Sequence, residues 1–293
     1  MGKPQQGILQ PAGKLARFMV FTLRDDKFLR RALVSLKELA DQRNTVVGIG
    51  QSLVLAMGAK VVGLRTFPEY AGKGFDVPST SYALWVWLQG DDEGDLLHRG
   101  RRLADELAPT FQCARSVHGF THAEGRDLTG YVDGTENPTG EKGRAVGILD
   151  GAGETLDGSS FVAVQQWVHD FDRFDDLSQS EQDNSIGRKK SNNEEIDDAP
   201  ASAHVKKTAQ EQFSPPAFIL RRSMPWSEGD EGGLMFIAFG RSFDAFDTQM
   251  RSMVGLDDGI PDALFRFTRP ITGAYFWCPP IMGDRLDLQL LGI

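Results

Sequence analysis

A hydrophobic strand, a polar turn and an amphipathic helix follow one another twice in this chain, once in each half. This repeat narrows the folds open to it. The first copy, from Tyr82, reads YALWVWLQGDDEGDLLHRGRRLADEL, and the second, from Gly233, reads GLMFIAFGRSFDAFDTQMRSMVG. In each, a short apolar run rich in aromatic and branched residues favours a strand, and apolar residues then recur at helical spacing. The same reading predicts further strands over 16–23, 46–49, 114–123, 160–167, 217–222 and 274–278, and helices over 28–42, 171–184, 95–107 and 243–254. Residues 51–57 fit either state. Two β-α-β-β-α-β units, each with helices on one face of an antiparallel sheet, give an α+β class. Two such sheets packed face to face leave a cavity near their joint. The stretch 140–159, rich in Gly, Asp and Glu, divides the chain into halves 1–145 and 146–293.

Composition removes several classes of function. The chain has 293 residues, 40% of them hydrophobic, enough for a real core. A net charge of −9 disfavours broad nucleic-acid binding. Cys113 and Cys278 form neither a zinc pattern nor a Cys-x-x-Cys-His haem attachment site. A reducing cytoplasm is the default for so few cysteines. Residues 1–13 lack a signal peptide and a twin-arginine motif, and no apolar run approaches the ~20 residues that span a bilayer. The expectation is a cytoplasmic protein with no membrane partner.

One loop stands out chemically. In Gly130-Tyr131-Val132-Asp133-Gly134-Thr135-Glu136-Asn137-Pro138, Gly134 is free to take positive φ and Pro138 holds Asn137 extended. Such a segment is rigid and irregular, and it holds one carboxylate still. Among five histidines, His98 reads as solvated. His118 and His122 have the spacing of a helical metal pair but sit in a strand-like stretch, and His169 reads as the end of a strand. His204 closes a long polar segment, 182–203, and an apolar strand carrying Arg221 and Arg222 follows it. A long polar loop inside a compact domain is more often functional than accidental. An arginine in an apolar strand must be paired or face a cavity, because burying it alone is costly.

Asp133 in GYVDGTENP, His204 in AHVKK and Arg221 in ILRRSMPW together resemble the dye-decolourising peroxidase family, its compact bacterial members in particular. The Gly-x-x-Asp-Gly signature is met by Gly130, Asp133 and Gly134, and the flanks QQWVHD, EQDNSIGR and DDAPASAHV match as well. The resemblance implies two ferredoxin-like halves forming an α/β barrel, with noncovalent haem b between sheet and helices. It implies a peroxidase that reduces hydrogen peroxide and oxidises dyes and phenolic donors through a ferryl intermediate. His204 is then the axial iron ligand, with Asp258 or Asp262 on its second nitrogen. Asp133 becomes the distal acid and base and Arg221 the distal cation. Asn137 and Ser223 are expected to hydrogen-bond peroxide or an ordered water, Phe236 or Phe239 to wall the pocket, and Arg188 to meet a propionate. An aspartate titrating near ~3.9 rather than a histidine near ~6.5 predicts activity on the acid side of neutrality. Trp85, Trp87, Trp167, Trp226, Trp277 and the four tyrosines are candidates for carrying electrons to bulky donors. A homodimer or larger homo-oligomer is expected. Packaging in a protein shell is not, because the chain ends at Ile293 without a targeting tail. A haem-handling protein with little peroxidase activity is the alternative.

Overall fold

A computed structural model describes residues 2–39, 44–72 and 74–293. The end of the helix expected over 28–42 falls at 40–42, outside the described residues. In the first half, β1 (Leu15–Leu23) is followed by α1 (Leu29–Leu39), β2 (Thr45–Ile49), β3 (Leu84–Gly90), α2 (Glu93–Leu107) and β4 (Phe111–Phe120). In the second, β5 (Ser160–His169), β6 (Met224–Glu228), β7 (Glu231–Gly240), α3 (Asp244–Met253) and β8 (Ala274–Cys278) follow the same order. Each half contributes four antiparallel strands, ordered β2-β3-β1-β4 and β6-β7-β5-β8. The two groups meet edge to edge, β4 against β6 through Gly119 and Trp226, and β8 against β2 through Trp277 and Ile49. The eight strands thus close into one antiparallel barrel. This bears out the barrel that the resemblance implies and corrects the expectation of two sheets packed face to face. Closure leaves these eight strands with no free edges.

Barrel strands covered on both faces need apolar residues at every position. β2, β5 and β8 are accordingly almost wholly buried along their length. One face packs inside the barrel, where Trp85 stacks on Phe276 at 6.0 Å and Phe18 on Trp87 at 6.0 Å. The other face meets the helices. α1 buries Leu29, Leu33 and Leu36, and α2, capped by Asp92 accepting from the Asp95 amide, buries Leu96, Leu103 and Leu107. α3 buries Phe246, Gln249, Met250 and Met253.

The two halves differ in the crossover between their first two strands. The first half has one regular helix there. The second has a long excursion, residues 170–223, with short helices Phe171–Asp175, Gln179–Ile186 and His204–Lys207. The expected helix over 171–184 is split because Ser178 and Glu181 form a capping box that starts a new helix. The polar segment 182–203 is folded, held by bonds such as Ile196 N to Gly187 O at 3.0 Å. The strand expected over 217–222 is reduced to Leu220–Arg221, and residues 51–57 are mostly helical, Gln51–Ala56. Among the described residues no helix is long and apolar enough to cross a membrane, and both cysteines are free thiols.

Candidate active site

The excursion in the second half leaves a cavity on the outer face of β5 and β7, roofed by α3. It encloses about 940 Å³ free of protein atoms, part of it open to solvent. Strand alternation explains its lining. Gln165, Trp167 and His169 on β5, and Leu234 and Phe236 on β7, share this face, with Phe236 opposite Gln165 in the ladder. Phe246, Met250 and Met253 of α3, with Ile186, Leu264 and Phe267, make most of the wall apolar. Every lining residue lies between positions 127 and 268. The cavity lies between sheet and helices, and the segment 127–133 of the first half meets residues 165–268 of the second in its lining.

His204, Asp133 and Arg221 all line this cavity. His204 opens its short helix, and the chain there packs tightly on the preceding one. Gly187 ends helix Gln179–Ile186 at φ +90°, where a side chain's Cβ would lie 2.3 Å from Val205 Cγ2. His204 Nδ1 is 2.7 Å from Asp262 Oδ2. Asp262 is fully buried, and its other oxygen accepts from the Leu264 amide at 2.9 Å. An ionised carboxylate only accepts, so Nδ1 is the nitrogen that donates to Asp262. Among the described residues Nε2 has no protein partner. Of the two candidate partners, Asp262 holds the histidine. Asp258 instead binds Lys207 Nζ at 2.7 Å, which together with the Ile260 amide keeps its carboxyl below the ordinary range.

Asp133 sits at the end of a small closed loop. Asp127 N bonds Tyr131 O at 2.8 Å, Gly130 N bonds Asp127 O at 2.8 Å, and Asp133 N bonds Gly125 O at 3.0 Å. Gly134 follows at φ +78°, and a turn from Gly134 O to Asn137 N brings Asn137 back. The Asn137 side chain then donates to Arg221 O and accepts from Arg221 N, both at 2.9 Å. The loop is thereby clamped to the strand that carries Arg221. Arg221 Nη1 lies 3.3 Å from Asp133 Oδ1.

Other expected residues fall elsewhere. Asn137 and Ser223 line a surface groove outside the cavity, and Asn137 is committed to the Arg221 backbone. Ser223 Oγ accepts from Ile237 N at 3.4 Å. Phe239 is three positions from Phe236, so it points the other way, into the barrel beside Trp85 and Trp87. It does not wall the cavity. Arg188 is held by Glu136 at 3.2 Å and Glu195 at 3.0 Å, and it does not line the cavity. His118 pairs with Glu93, and among the described residues no His, Cys, Asp and Glu cluster forms a metal site. Trp85 and Trp87 face the barrel interior, while Trp167 and Tyr131 reach the cavity.

Sequence reasoning passed over one polar couple in the cavity wall. His169 Nε2 is 3.0 Å from Asp127 Oδ2, and its Nδ1 is 2.8 Å from Thr268 Oγ1. Thr268 Oγ1 also lies 3.0 Å from Val168 O. Asp127 also accepts from Thr129 N at 2.9 Å and from the Thr129 hydroxyl. Burial pushes the Asp127 carboxyl up, but hydrogen bonds and charge from His169, with those from Thr129, outweigh it and hold it below the usual range. The period-two run Gln165, Trp167, His169 was the available signal.

Residues 124–283, more than half of the chain, match the family described as Dyp-type peroxidase, C-terminal. A dye-decolorizing peroxidase of Rhodococcus erythropolis is 31% identical over 302 aligned positions, covering 96% of this chain and 88% of the relative. The chain belongs to the Dyp-type peroxidase family. Solved structures of Dyp proteins are similar throughout. The dye-decolorizing protein from V. cholerae superposes with a TM-score of 0.86 at 29% identity, covering 98% of both chains. A DypB variant of Rhodococcus jostii RHA1, solved in complex with heme, gives 0.86 at 25% identity, covering 96% of this chain and 98% of that one. The Dyp-type barrel thus accounts for the fold, and the signature Gly130, Asp133 and Gly134 lies within the matched segment.

Proposed function

We propose that this peroxidase holds haem b in the apolar cavity, with His204 as its axial ligand and Asp133 and Arg221 acting on hydrogen peroxide. The single observation that carries the reading is the meeting of these three side chains on one cavity, with His204 Nε2 free and Nδ1 fixed by buried Asp262. The residues fit the group. A flat apolar macrocycle suits walls of Phe236, Phe246, Met250 and Met253, and imidazole is a good ligand for its iron. When bound, haem supplies the iron to which peroxide is delivered and the redox capacity that the protein lacks.

The side chains do the rest. Asp262 accepts from Nδ1, which fixes the tautomer and raises the donor strength of Nε2. Asp133, as carboxylate, takes a proton from one peroxide oxygen and returns it to the other, contributing about 10²–10⁴-fold. Arg221 presents positive charge where negative charge develops on the departing oxygen. Asn137 holds Arg221 by its backbone and so positions it. The apolar wall excludes water and strengthens each of these interactions.

The electron donors are dyes and phenolic compounds. The chain divides near 145/146 into its two halves, a reading supported by the grouping of β1–β4 and β5–β8. It works in the cytoplasm, in keeping with two free thiols. A homodimer or larger homo-oligomer is tested by light scattering of the purified protein. The central test is an absorption spectrum before and after one equivalent of peroxide. A Soret band that shifts on mixing is expected, and His204→Ala is expected to lose most of it. A Soret band of full strength in His204→Ala, with undiminished turnover, would overturn the reading.

A further inference from the structure

Asp133 stands six residues after Asp127 and four before Asn137, and the chain between carries Gly130 and Gly134, at φ +88° and +78°. Backbone of this kind is costly to hold still, so a fixed carboxylate needs ties on both sides. The far side is tied by Asn137 to the Arg221 backbone. The near side is a small hairpin, bridged antiparallel between Arg126 and Val132 and turned by the bond from Gly130 N to Asp127 O at 2.8 Å. Tyr131 packs edge-on against Phe174, and its hydroxyl reaches Asp183, which ties the hairpin to the excursion. Asp127 ties it to the barrel, through His169 at the end of β5. The side chains of His169 and Asp127 are only 6% and 15% exposed, so neither has much water to replace its partner. A carboxylate only accepts, so His169 Nε2 donates across the 3.0 Å contact. The same carboxylate accepts from the Thr129 amide and hydroxyl, so Asp127 both closes the hairpin's turn and docks it. β5 and Leu220–Arg221 both pair with β7, where Ala163 and Arg221 lie opposite Ala238 from either side. The two ties therefore end on one continuous piece of sheet, and together they set where Asp133 lies relative to Arg221.

We propose that His169 and Asp127 are positioning residues for Asp133. The couple holds the near end of the loop so that the Asp133 carboxylate stays 3.3 Å from Arg221, on the wall of the cavity. This role rests on the reading of Asp133 as acid and base given above. Neither member of the couple exchanges a proton with peroxide. Without His169, a mostly buried carboxylate keeps only Thr129 as its donor, and the hairpin loosens to bring it to water.

The test compares His169→Asn with His169→Gln in the haem-loaded protein at equal haem content. The Gln carboxamide reaches the place of Nε2 and still donates to Asp127, whereas that of Asn stops near the place of Nδ1. Hydrogen exchange is the first measurement. In His169→Asn the amides of Asp127, Gly130 and Asp133 are expected to exchange about tenfold faster or more, while the Arg221 amide, held by Asn137, keeps its wild-type rate. His169→Gln is expected to restore slow exchange. Stopped-flow mixing with one equivalent of peroxide is the second measurement. The Asn variant is expected to react about 10- to 100-fold more slowly, the effect of a slightly misplaced reacting group, and the Gln variant to recover most of the rate. Should His169→Asn not fold, His169→Leu with Asp127→Leu removes both partners, leaves no buried charge, and is expected to show the same loosening. Unchanged exchange at the three loop amides would overturn the proposal. So would equal losses in the Asn and Gln variants, or faster exchange at Arg221 as well, since either marks a merely structural role. Asp133→Asn keeps the two readings apart. If it slows the peroxide reaction and His169→Asn does not, only the positioning role falls. If Asp133→Asn reacts at the wild-type rate, the reading of Asp133 falls, and the role of the couple with it.

Discussion

Asp133 and Arg221 come from segments far apart in the chain, and a neutral side chain, Asn137, ties the two backbones together. This arrangement separates holding from chemistry. Asp133→Asn keeps the shape but removes the base, so the ferric protein is expected to react with peroxide about 10²–10⁴-fold more slowly. Arg221→Ala removes the fixed cation and is expected to slow the same step about 10²–10³-fold. Stopped-flow mixing with peroxide checks both, and unchanged rates in both would remove these residues from the reaction. Asp127 makes a different prediction. Its carboxyl is held below the ordinary range in the folded chain. Its contribution to stability is therefore complete above the unfolded value of ~3.9 and is lost as pH falls through the folded one. The gap in urea midpoint between the wild type and Asp127→Asn should be wide at pH 7 and shrink at pH 3. A gap of the same size at both pH values would show that the couple with His169 does not act through charge.

Single elements decide which of two similar side chains matters. Phe236 and Phe239 both lie on β7, and reading residue types alone left either as a wall of the pocket. Their odd separation places them on opposite faces of the strand. Phe236 faces the cavity, and Phe239 is fully buried inside the barrel. Phe239→Ala is expected to cost about 3–5 kcal/mol of stability while the Soret band of the surviving protein keeps its position. Phe236→Ala is expected to weaken haem retention with a smaller loss of stability. Urea unfolding paired with haem transfer to apomyoglobin separates the two, and the reverse pattern would contradict the facing assigned here. The strand β6 is a second lesson at this scale. Pro225 within Met224–Glu228 and the charged end of that run conceal a strand that pairs along β7 and closes the barrel against β4.

At the scale of the molecule, the site is a defect in a repeat. The first half fills its opening crossover with α1, whereas the second opens the corresponding space with residues 170–223 and leaves a cavity. A cavity of this kind gains stability from its occupant. Haem at 100 times its Kd is expected to raise the unfolding free energy by about 2.7 kcal/mol, and His204→Ala to lose most of that gain. Thermal melts of the protein with and without added haem measure it, and an equal gain in the variant would place the haem elsewhere.

Much of this protein is written in local order along the chain. Strand and helix runs, their repetition, and the loop with Asp133 depend on side-chain periodicity and on backbone limits at Gly134 and Pro138. Those are short-range properties, and they survive in a sequence read alone. The family resemblance, carried by Asp133, His204, Arg221 and their flanks, was legible for the same reason. Contacts between distant segments were not. Only the folded chain chose Asp262 over Asp258 for His204, set His169 against Asp127, committed Arg188 to two glutamates and joined the halves edge to edge. Each of those outcomes depends on which segments the tertiary fold brings side by side, and local periodicity does not specify that; one barrel seam, Trp277 against Ile49, joins residues near opposite ends of the chain.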